Sequence, residues 1–494
     1  RLRQDLTLQL SGVPVAARRS QSMNEHAILG QLVLGHSLML DRERRVVATR
    51  LTVFPERRDA SPDPAALLRE LLEVWPATGD AAASPGAMPT LGAASPAADE
   101  GPVTLTLREV APAAHAADPS GSKPRLVPAA ATRPAAGSPI LGGPTAATPL
   151  SLNIASEPWL RALLTLRPPP HLMIEVPAFM TGDDATAGVL QALHAAGSVL
   201  IIKGRPLTEL RRDLLPCFRH SLIDLGEERR SAGEAPPAGV ERRITLIQSG
   251  VATRADVDAA FARGAVAVLG WPIDDALPPS APGKASGKGV GPDLQIVMQL
   301  MQRVDREEPI DRLEAVLRND PQLAFRLLRY LNSAAFGLQV EITSFRHALM
   351  MLGYKKLRRW LALLLASASP DPALRPAIHA AVRRGLLMEE LGGTSADAEM
   401  RSEMFICGVF SLLDRMLGQP LATLFQSLPV PERVRQALVD GTGSYAPFLT
   451  LARAVETGLR TDILEAAEQC FVTLEEVNAA LLRALRGARE LDLT

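Results

Sequence analysis

Aromatic side chains are scarce in this chain: Phe, Trp and Tyr together make up only 4% of its 494 residues. Proteins that hold single-stranded nucleic acid usually combine aromatic stacking platforms with a basic groove. The formal net charge of −1 also provides no general attraction for nucleic-acid phosphates or anionic membrane surfaces. The composition therefore predicts that nucleic acid is not a partner.

Lysine and cysteine are rare as well. Lysine stands at only six positions, so arginine carries nearly all of the positive charge, and this bias indicates genomic composition rather than a binding surface. Cys217, Cys407 and Cys470 are far apart and form no CxxC motif, which fits a reducing cytosol. We expect a cytoplasmic protein whose three thiols are buried.

Long apolar runs are missing too. No stretch of about 18 apolar residues without charge occurs, so neither a membrane span nor a membrane partner is predicted. The first residues are polar and lack the apolar middle of a secretory signal. We predict that residues 1–23 are an N-terminal extension outside the fold.

The rest of the chain divides by composition. Residues 24–275 contain short apolar strands that alternate with amphipathic helices, one of them predicted at 207–215. This pattern is typical of parallel βα units. About seven or eight such units favour a closed barrel over an open sheet. An Ala-, Pro-, Gly- and Ser-rich insertion at 77–150 interrupts this zone and is predicted to be disordered. A Pro/Gly/Ser linker at 276–292 leads to residues 293–494, which show helical periodicity.

Helix start and stop signals recur in the last zone. Asp320 followed by Pro321 is typical of a helix N-terminus. Helices are predicted at 375–391 and 400–417, and Gly353, Gly392 and Gly418 are placed to end helices. The expected architecture of this zone is an all-α array packed around one core.

Three blocks of the helical zone resemble the HDOD family. They read NDPQLAFRLLRYLNSAAFG at 319–337, ITSFRHALMMLGYKKLRRW at 342–360 and MFICGVFSLLD at 404–414. The blocks are long and follow the order of the family, and the best-matched part is 293–460. The resemblance implies an HDOD helical domain, which is related in fold to metal-dependent phosphohydrolases but lacks their metal ligands.

The preceding zone resembles an EAL domain, the (β/α) barrel of cyclic di-GMP phosphodiesterases. The segment VVATRLTVF at 46–54 stands where the signature strand is expected. Later motif strands are matched by 152–154, 174–176, 200–205, 222–225 and 268–271. One bacterial signalling family joins an EAL domain to an HDOD domain in this order, so the resemblance implies an α/β barrel followed by an all-α domain.

The resemblance implies metal chemistry that the residues no longer fit. EAL enzymes use divalent ions such as Mg²⁺ or Mn²⁺, held mainly by carboxylates, to cleave the phosphodiester. Arg50 stands where the signature Glu is expected, and Lys203 and Gly204 replace an Asp pair. Ser249 replaces a further Glu, and Leu222 replaces a Lys.

Asn153, Glu175 and Asp224 are the retained positions, and we regard them as vestigial metal-ligand candidates. A cation in place of a carboxylate repels a divalent ion by several kcal/mol even with partial screening. The sequence therefore predicts a degenerate EAL barrel without catalytic residues, cofactor or bound metal.

A basic cluster stands out in the helical zone: Lys355, Lys356, Arg358 and Arg359. On a helix, residues three and four apart share a face. The cluster is a candidate surface for an acidic partner or a phosphate, and the alternative is an ordinary solvated helix face.

Three functions remain open from the sequence. The favoured one is a non-catalytic signal-transduction scaffold whose HDOD domain binds a signalling protein and whose barrel modulates that contact. The second is an active cyclic di-GMP phosphodiesterase, which would need Mg²⁺ or Mn²⁺. The third is a sensor that binds cyclic di-GMP weakly without cleaving it.

Overall fold

The computed structural model describes residues 28–57, 60, 62–76, 149–206, 210–230, 244–270, 292–318, 345–367, 374–393, 396–428 and 430–490. The predictions for 1–23 and for almost all of the insertion at 77–150 and the linker at 276–292 lie outside the described residues. The chain divides into two units, and the second, Thr78–Ile140, lies wholly outside this range. All structural statements below concern the first unit.

Eight strands form a closed barrel in which neighbours along the chain are hydrogen-bonded. The strands are β1 (Leu32–Leu40), β2 (Val46–Pro55), β3 (Leu150–Ile154), β4 (Leu172–Pro177), β5 (Val199–Lys203), β6 (Phe218–Asp224), β7 (Thr245–Ser249) and β8 (Ala265–Leu269). This confirms the predicted barrel.

The first strand departs from the expected parallel pattern. β1 is antiparallel to both β2 and β8, whereas β2 to β8 run parallel. Only five residues, 41–45, separate β1 from β2, and a parallel crossover needs a dozen or more residues. The expectation of a βα unit at the N-terminal end was therefore wrong for β1.

Helices cover the outside of the barrel: α1 (Pro64–Val74), α2 (Glu157–Thr165), α3 (Asp184–Ala195), α4 (Leu225–Arg230) and α5 (Arg254–Ala262). The helix expected at 207–215 was wrong for its described part. Residues 210–214 form loop and turn, followed by a 3₁₀ turn at Leu215–Cys217. Pro216 within this turn lacks the N–H group that a longer helix needs.

The C-terminal part is all-α. Its helices are α6 (Pro292–Asp305), α7 (Ile310–Arg318), α8 (Phe345–Ser367), α9 (Arg375–Leu391), α10 (Ala398–Phe410), α11 (Leu413–Leu417), α12 (Leu421–Ser427), α13 (Glu432–Arg435), α14 (Ala446–Thr457), α15 (Arg460–Gln469) and α16 (Leu474–Glu490). Within the described residues, none of the helices combines the length and the apolar character that a membrane span needs.

Two helix boundaries in this part follow local chemistry. Gly353 has φ 63° and ψ 171° and breaks α8 where the sequence predicted a helix end. The single helix expected at 400–417 is divided instead into α10 and α11. Ser411 lies at the break and donates its hydroxyl to the carbonyl of Gly408 at 2.6 Å, and such side-chain bonds compete with the helix ladder.

The barrel and the helical part share one apolar core. It joins residues of β1, β2 and α1 to residues of α9, α14 and α16. A separate cluster fills the barrel interior: Met39, Ala48, Met173, Ile201, Leu222, Ile247, Ala267 and Leu269. The candidate site lies beyond this interior plug, towards the ends of the parallel strands.

Candidate functional site

The strand register gathers the candidate site residues at the mouth of the barrel, which we define as the carboxyl end of the parallel strands. Successive side chains on a strand point to opposite faces. Ala48, Met173 and Ile201 belong to the interior cluster, so the side chains two residues further along each strand also face inwards. These are Arg50, Glu175 and Lys203.

Arg50 and Glu175 form a two-pronged ion pair across the mouth. Arg50 Nε donates to Glu175 Oε1 at 2.7 Å, and Arg50 Nη2 donates to Glu175 Oε2 at 2.6 Å. The hydroxyl of Ser151 donates to the same Oε1 at 3.1 Å. Both oxygens of this carboxylate are therefore engaged by groups of the chain itself. Such forked pairs fix geometry as well as charge.

The environment keeps the guanidinium of Arg50 charged. Glu175 is buried, and the side chain of Arg50 is 17% exposed. Burial lowers the pKa of Arg50, but the charge and hydrogen bonds of Glu175 outweigh burial, so the pKa of the guanidinium is raised overall.

Lys203 engages the second retained position. Its Nζ donates to Asn153 Oδ1 at 2.8 Å, and the Asn153 amide donates to Thr52 Oγ1 at 3.3 Å. Burial lowers the pKa of Lys203, Glu175 acts in the opposite direction, and Arg50 lowers it further. The mouth thus places two cations beside one buried carboxylate.

Asp224 lies at the exposed rim and serves the loop that follows its strand. Its Oδ1 accepts the N–H of Gly226 at 2.9 Å, and its Oδ2 accepts the hydroxyl of Ser249 at 3.4 Å. Asp224 also lies so close to Gly250, which has φ +71°, that a Cβ at that position would collide with it. The carboxylate is therefore built into the turn.

The residues at the mouth do not fit a divalent metal. The oxygens of Glu175 and Asn153 that could bind a cation already accept bonds from Arg50 and Lys203. Within the described ranges, no group of three or more His, Cys, Asp and Glu side chains is arranged to hold a metal ion. Mg²⁺ and Mn²⁺ need several oxygen ligands, mostly carboxylates.

The basic cluster of the helical part divides in two. Arg358 pairs with Asp305 at 2.7 Å. Arg359 pairs with Glu389 at 2.6 Å and lies 4.0 Å over the ring of Phe405. These two arginines hold helices together within the chain. Lys355 and Lys356 are exposed on α8.

Polar contacts between barrel and helices were not predicted by any local sequence pattern. Arg383 of α9 is buried and donates from Nη2 to Thr49 Oγ1 of β2 at 2.8 Å. Asn478 of α16 is buried against the backbone of β1. The partners are 334 and 444 residues apart in the chain, and no local pattern marks such pairs.

Comparison with known proteins supports one part of this picture directly. The model of the HDOD domain family matches residues 292–419. The helical part therefore contains an HDOD domain, as the sequence blocks predicted.

Two curated relatives are similar to this chain over about 200 residues each. One is "Cyclic di-GMP phosphodiesterase CdgJ" of Vibrio cholerae, 28% identical over 205 residues, which covers 41% of this chain and 47% of the relative. The other is "Uncharacterized protein YuxH" of Bacillus subtilis, 27% identical over 216 residues, which covers 43% of this chain and 52% of the relative. The matches thus span about half the length of each relative.

Two solved structures are similar at a lower level. The PaMucR phosphodiesterase in its c-di-GMP complex has a TM-score of 0.29 at 14% identity and covers 52% of this chain and 95% of that one. The S helix-GGDEF-EAL part of Vibrio cholerae LapD, bound to c-di-GMP, has a TM-score of 0.25 at 14% identity and covers 54% and 59%. The barrel assignment rests on the strand pairing of this chain.

Proposed function

We propose that this protein is a non-catalytic regulator of cyclic di-GMP signalling, in which the HDOD domain binds a signalling protein and a degenerate EAL-type barrel modulates that contact. The forked pair of Arg50 and Glu175 carries the proposal. The name of the relative CdgJ supports the signalling pathway, and the family match supports the HDOD domain.

The pair supports a loss of catalysis for an electrostatic reason. Phosphodiester cleavage by metal ions needs bound water to be activated and the developing charge to be neutralised. A metal at this mouth would have to displace Arg50 from Glu175 and Lys203 from Asn153. Both cations would remain near the metal and repel it.

Mass spectrometry tests the proposal on the full chain. Cyclic di-GMP is incubated with the protein and Mg²⁺ or Mn²⁺, and the linear product pGpG is measured, with an active phosphodiesterase as the assay control. We expect no product above the protein-free reaction. Turnover that is abolished by Glu175→Gln would overturn the proposal in favour of an active phosphodiesterase.

A binding-only sensor is the second candidate, and one observation favours it. Phe179 follows β4 and is 62% exposed. It lies two residues after Pro177, which is paired in register with Lys203. An exposed aromatic ring can stack on a planar base, and a cation can bind a phosphate, so each of these side chains suits such a ligand. Titration calorimetry with cyclic di-GMP tests this, since heat that is lost in Lys203→Met and Phe179→Ala supports a sensor and no heat at high micromolar ligand dismisses it.

The exposed lysines provide the test of the partner surface. Lys355→Glu combined with Lys356→Glu reverses two charges on α8, and Arg306→Glu reverses one exposed charge beyond α6 as a control. We expect the double variant to lose proteins captured from the native host by the full chain. Equal capture by the wild type, the double variant and Arg306→Glu would exclude these lysines from the partner site.

A further inference from the structure

Consecutive residues of β2 contact two different parts of the molecule. Arg50 faces inwards and pairs with Glu175 at the mouth. Thr49 faces outwards, and its hydroxyl accepts the hydrogen bond from Arg383 of the helical part at 2.8 Å. Because side chains alternate along a strand, a shift of β2 moves both contacts together.

The neighbouring strand β1 is hydrogen-bonded by the side chain of Asn478 from α16. Among the described residues, β1 pairs with β8 at Met39 and Leu40, and no described strand pairs with the earlier residues of β1 on that edge. Asn478 accepts the N–H of Leu34 at 3.1 Å. Its amide donates to the carbonyls of Leu29 at 2.7 Å and Leu32 at 2.8 Å. These buried backbone groups are thereby satisfied.

Further contacts tie the same hairpin to the helices. A Cβ on Gly35 would lie 2.6 Å from the Cα of Gly458, so the two backbones are in close contact. Arg460 donates to the carbonyls of Pro55 and Glu56 at the end of β2.

Helix α1 is tied to the helical part as well. Arg486 donates to the carbonyl of Glu73 at 2.8 Å, and Arg489 donates to that of Val74. Both carbonyls belong to the last turn of α1, where cations are favoured.

The charges at this contact are buried and resist rearrangement. Arg384 binds both oxygens of Glu456 at 3.0 and 2.5 Å. Burial lowers the pKa of Arg383 to about 10, although Glu456 acts in the opposite direction. A buried charge that loses its partners is strongly destabilising, so the helices and β2 are expected to move as one body.

We propose that the β1–β2 hairpin couples the mouth of the barrel to the HDOD-containing helical part. An anionic ligand that competes with Glu175 for Arg50 would displace β2, and the displacement would reach α9 through Thr49 and Arg383 and α16 through Asn478. The proposal rests on the proposed function only in taking the mouth as the sensing end. By linkage, a partner on the helices acts back on the mouth to the same extent.

Hydrogen exchange of the full chain tests the coupling from the mouth. The variant Arg50→Gln removes the forked pair, and Ser249→Ala removes a rim hydroxyl as the control. We expect Arg50→Gln to speed exchange in β1, α9 and α16 at least about fivefold, while β6 and β7 exchange as in the wild type. Unchanged exchange rates in α9 and α16, or an equal rise of the exchange rates in β6 and β7, would overturn the proposal.

A second pair of variants tests the bond that links β2 to α9. Thr49→Val keeps the shape of the side chain and deletes the acceptor of Arg383, whereas Thr49→Ser keeps the hydroxyl. Faster exchange in β2 and β4 with valine but not with serine is expected, and identical behaviour of the two variants contradicts the coupling.

If Arg50→Gln does not fold, Arg50→Lys replaces it, because lysine keeps the positive charge but cannot form the two parallel hydrogen bonds to Glu175. The pGpG assay tests the proposed function separately, so the coupling and the loss of hydrolysis can fail independently of each other.

Discussion

At the scale of single residues, Arg50 determines what the mouth can do. A guanidinium pairs with a buried carboxylate through two parallel hydrogen bonds, at 2.7 and 2.6 Å, which a point charge such as lysine cannot reproduce. The pair neutralises the one buried carboxylate among the retained candidates, Glu175. Its stability is therefore the first quantity to measure.

Removal of Arg50 alone should destabilise the protein more than removal of both partners. Arg50→Met leaves Glu175 buried without its main counter-ion, and we expect a loss of about 3 kcal/mol in the free energy of unfolding. Arg50→Met with Glu175→Leu should cost clearly less, because no charge remains unpaired. Urea unfolding measures both, and a cost of the single variant no larger than that of the double variant would contradict the ion-pair assignment.

His36 should make the stability pH-dependent. Burial, together with Arg383 and Arg384, lowers its pKa from 6.5 to about 3. Between these values the unfolded chain binds a proton that the folded chain does not, so stability falls as the pH falls through this window.

From about pH 7 to about pH 5.5 the wild type should lose about 1 kcal/mol more than His36→Gln. Urea unfolding at the two pH values provides the comparison. His220, whose pKa burial and Arg219 lower to about 4, is common to both proteins and cancels. Equal losses would show that His36 titrates normally in the folded state.

At the scale of elements, the close contact of β1 with α14 depends on the absence of a side chain. Gly35→Ala places a Cβ 2.6 Å from Gly458 Cα and 3.3 Å from Val455 O. Both atoms belong to backbone and cannot rotate away, so we expect a loss of about 1–3 kcal/mol.

Gly30→Ala is the matched control for this prediction. The nearest atom to its added Cβ is Glu475 Cβ at 3.8 Å, which is ordinary contact. Thermal unfolding of the two variants should therefore lower the Tm for Gly35→Ala and leave it nearly unchanged for Gly30→Ala. A similar Tm for both would show that β1 and α14 are less tightly packed than described.

The elements themselves were largely predictable from local patterns. Apolar strands alternating with helices indicated the barrel, and the break of α8 at Gly353 followed from its glycine. The antiparallel direction of β1 was missed because the apolar pattern of a strand carries no direction. The division at Ser411 was missed because its hydroxyl bond to Gly408 competes with the helix only in three dimensions.

At the scale of the whole molecule, the barrel and the helices depend on each other. Asn478 and Arg383 lie buried against β1 and β2, so the fragment 292–494 would expose both polar groups together with the apolar surface around them. We expect this fragment to unfold at a clearly lower urea concentration than the helices do within the full chain. Circular dichroism and hydrogen exchange of α16 measure this, and an unchanged midpoint would contradict the shared core.

The site was predictable only in part. The resemblance placed Arg50 and Lys203 where carboxylates were expected, and the register brings both to the mouth. Their partners were not predictable, since Arg50 and Glu175 are 125 residues apart and Lys203 and Asn153 are 50 residues apart. The pairing of Arg358 and Arg359 was not predictable either. Their partners Asp305 and Glu389 contact them only after the helices pack.

Titration of Mn²⁺ into the full chain, followed by electron paramagnetic resonance, tests most directly whether the chain's own cations have replaced the metals. The account predicts that the spectrum of free Mn²⁺ persists in the wild type and that Arg50→Glu with Lys203→Asp, which restores carboxylates, gains bound Mn²⁺. Two Mn²⁺ ions bound by the wild type and released by Glu175→Gln would contradict it.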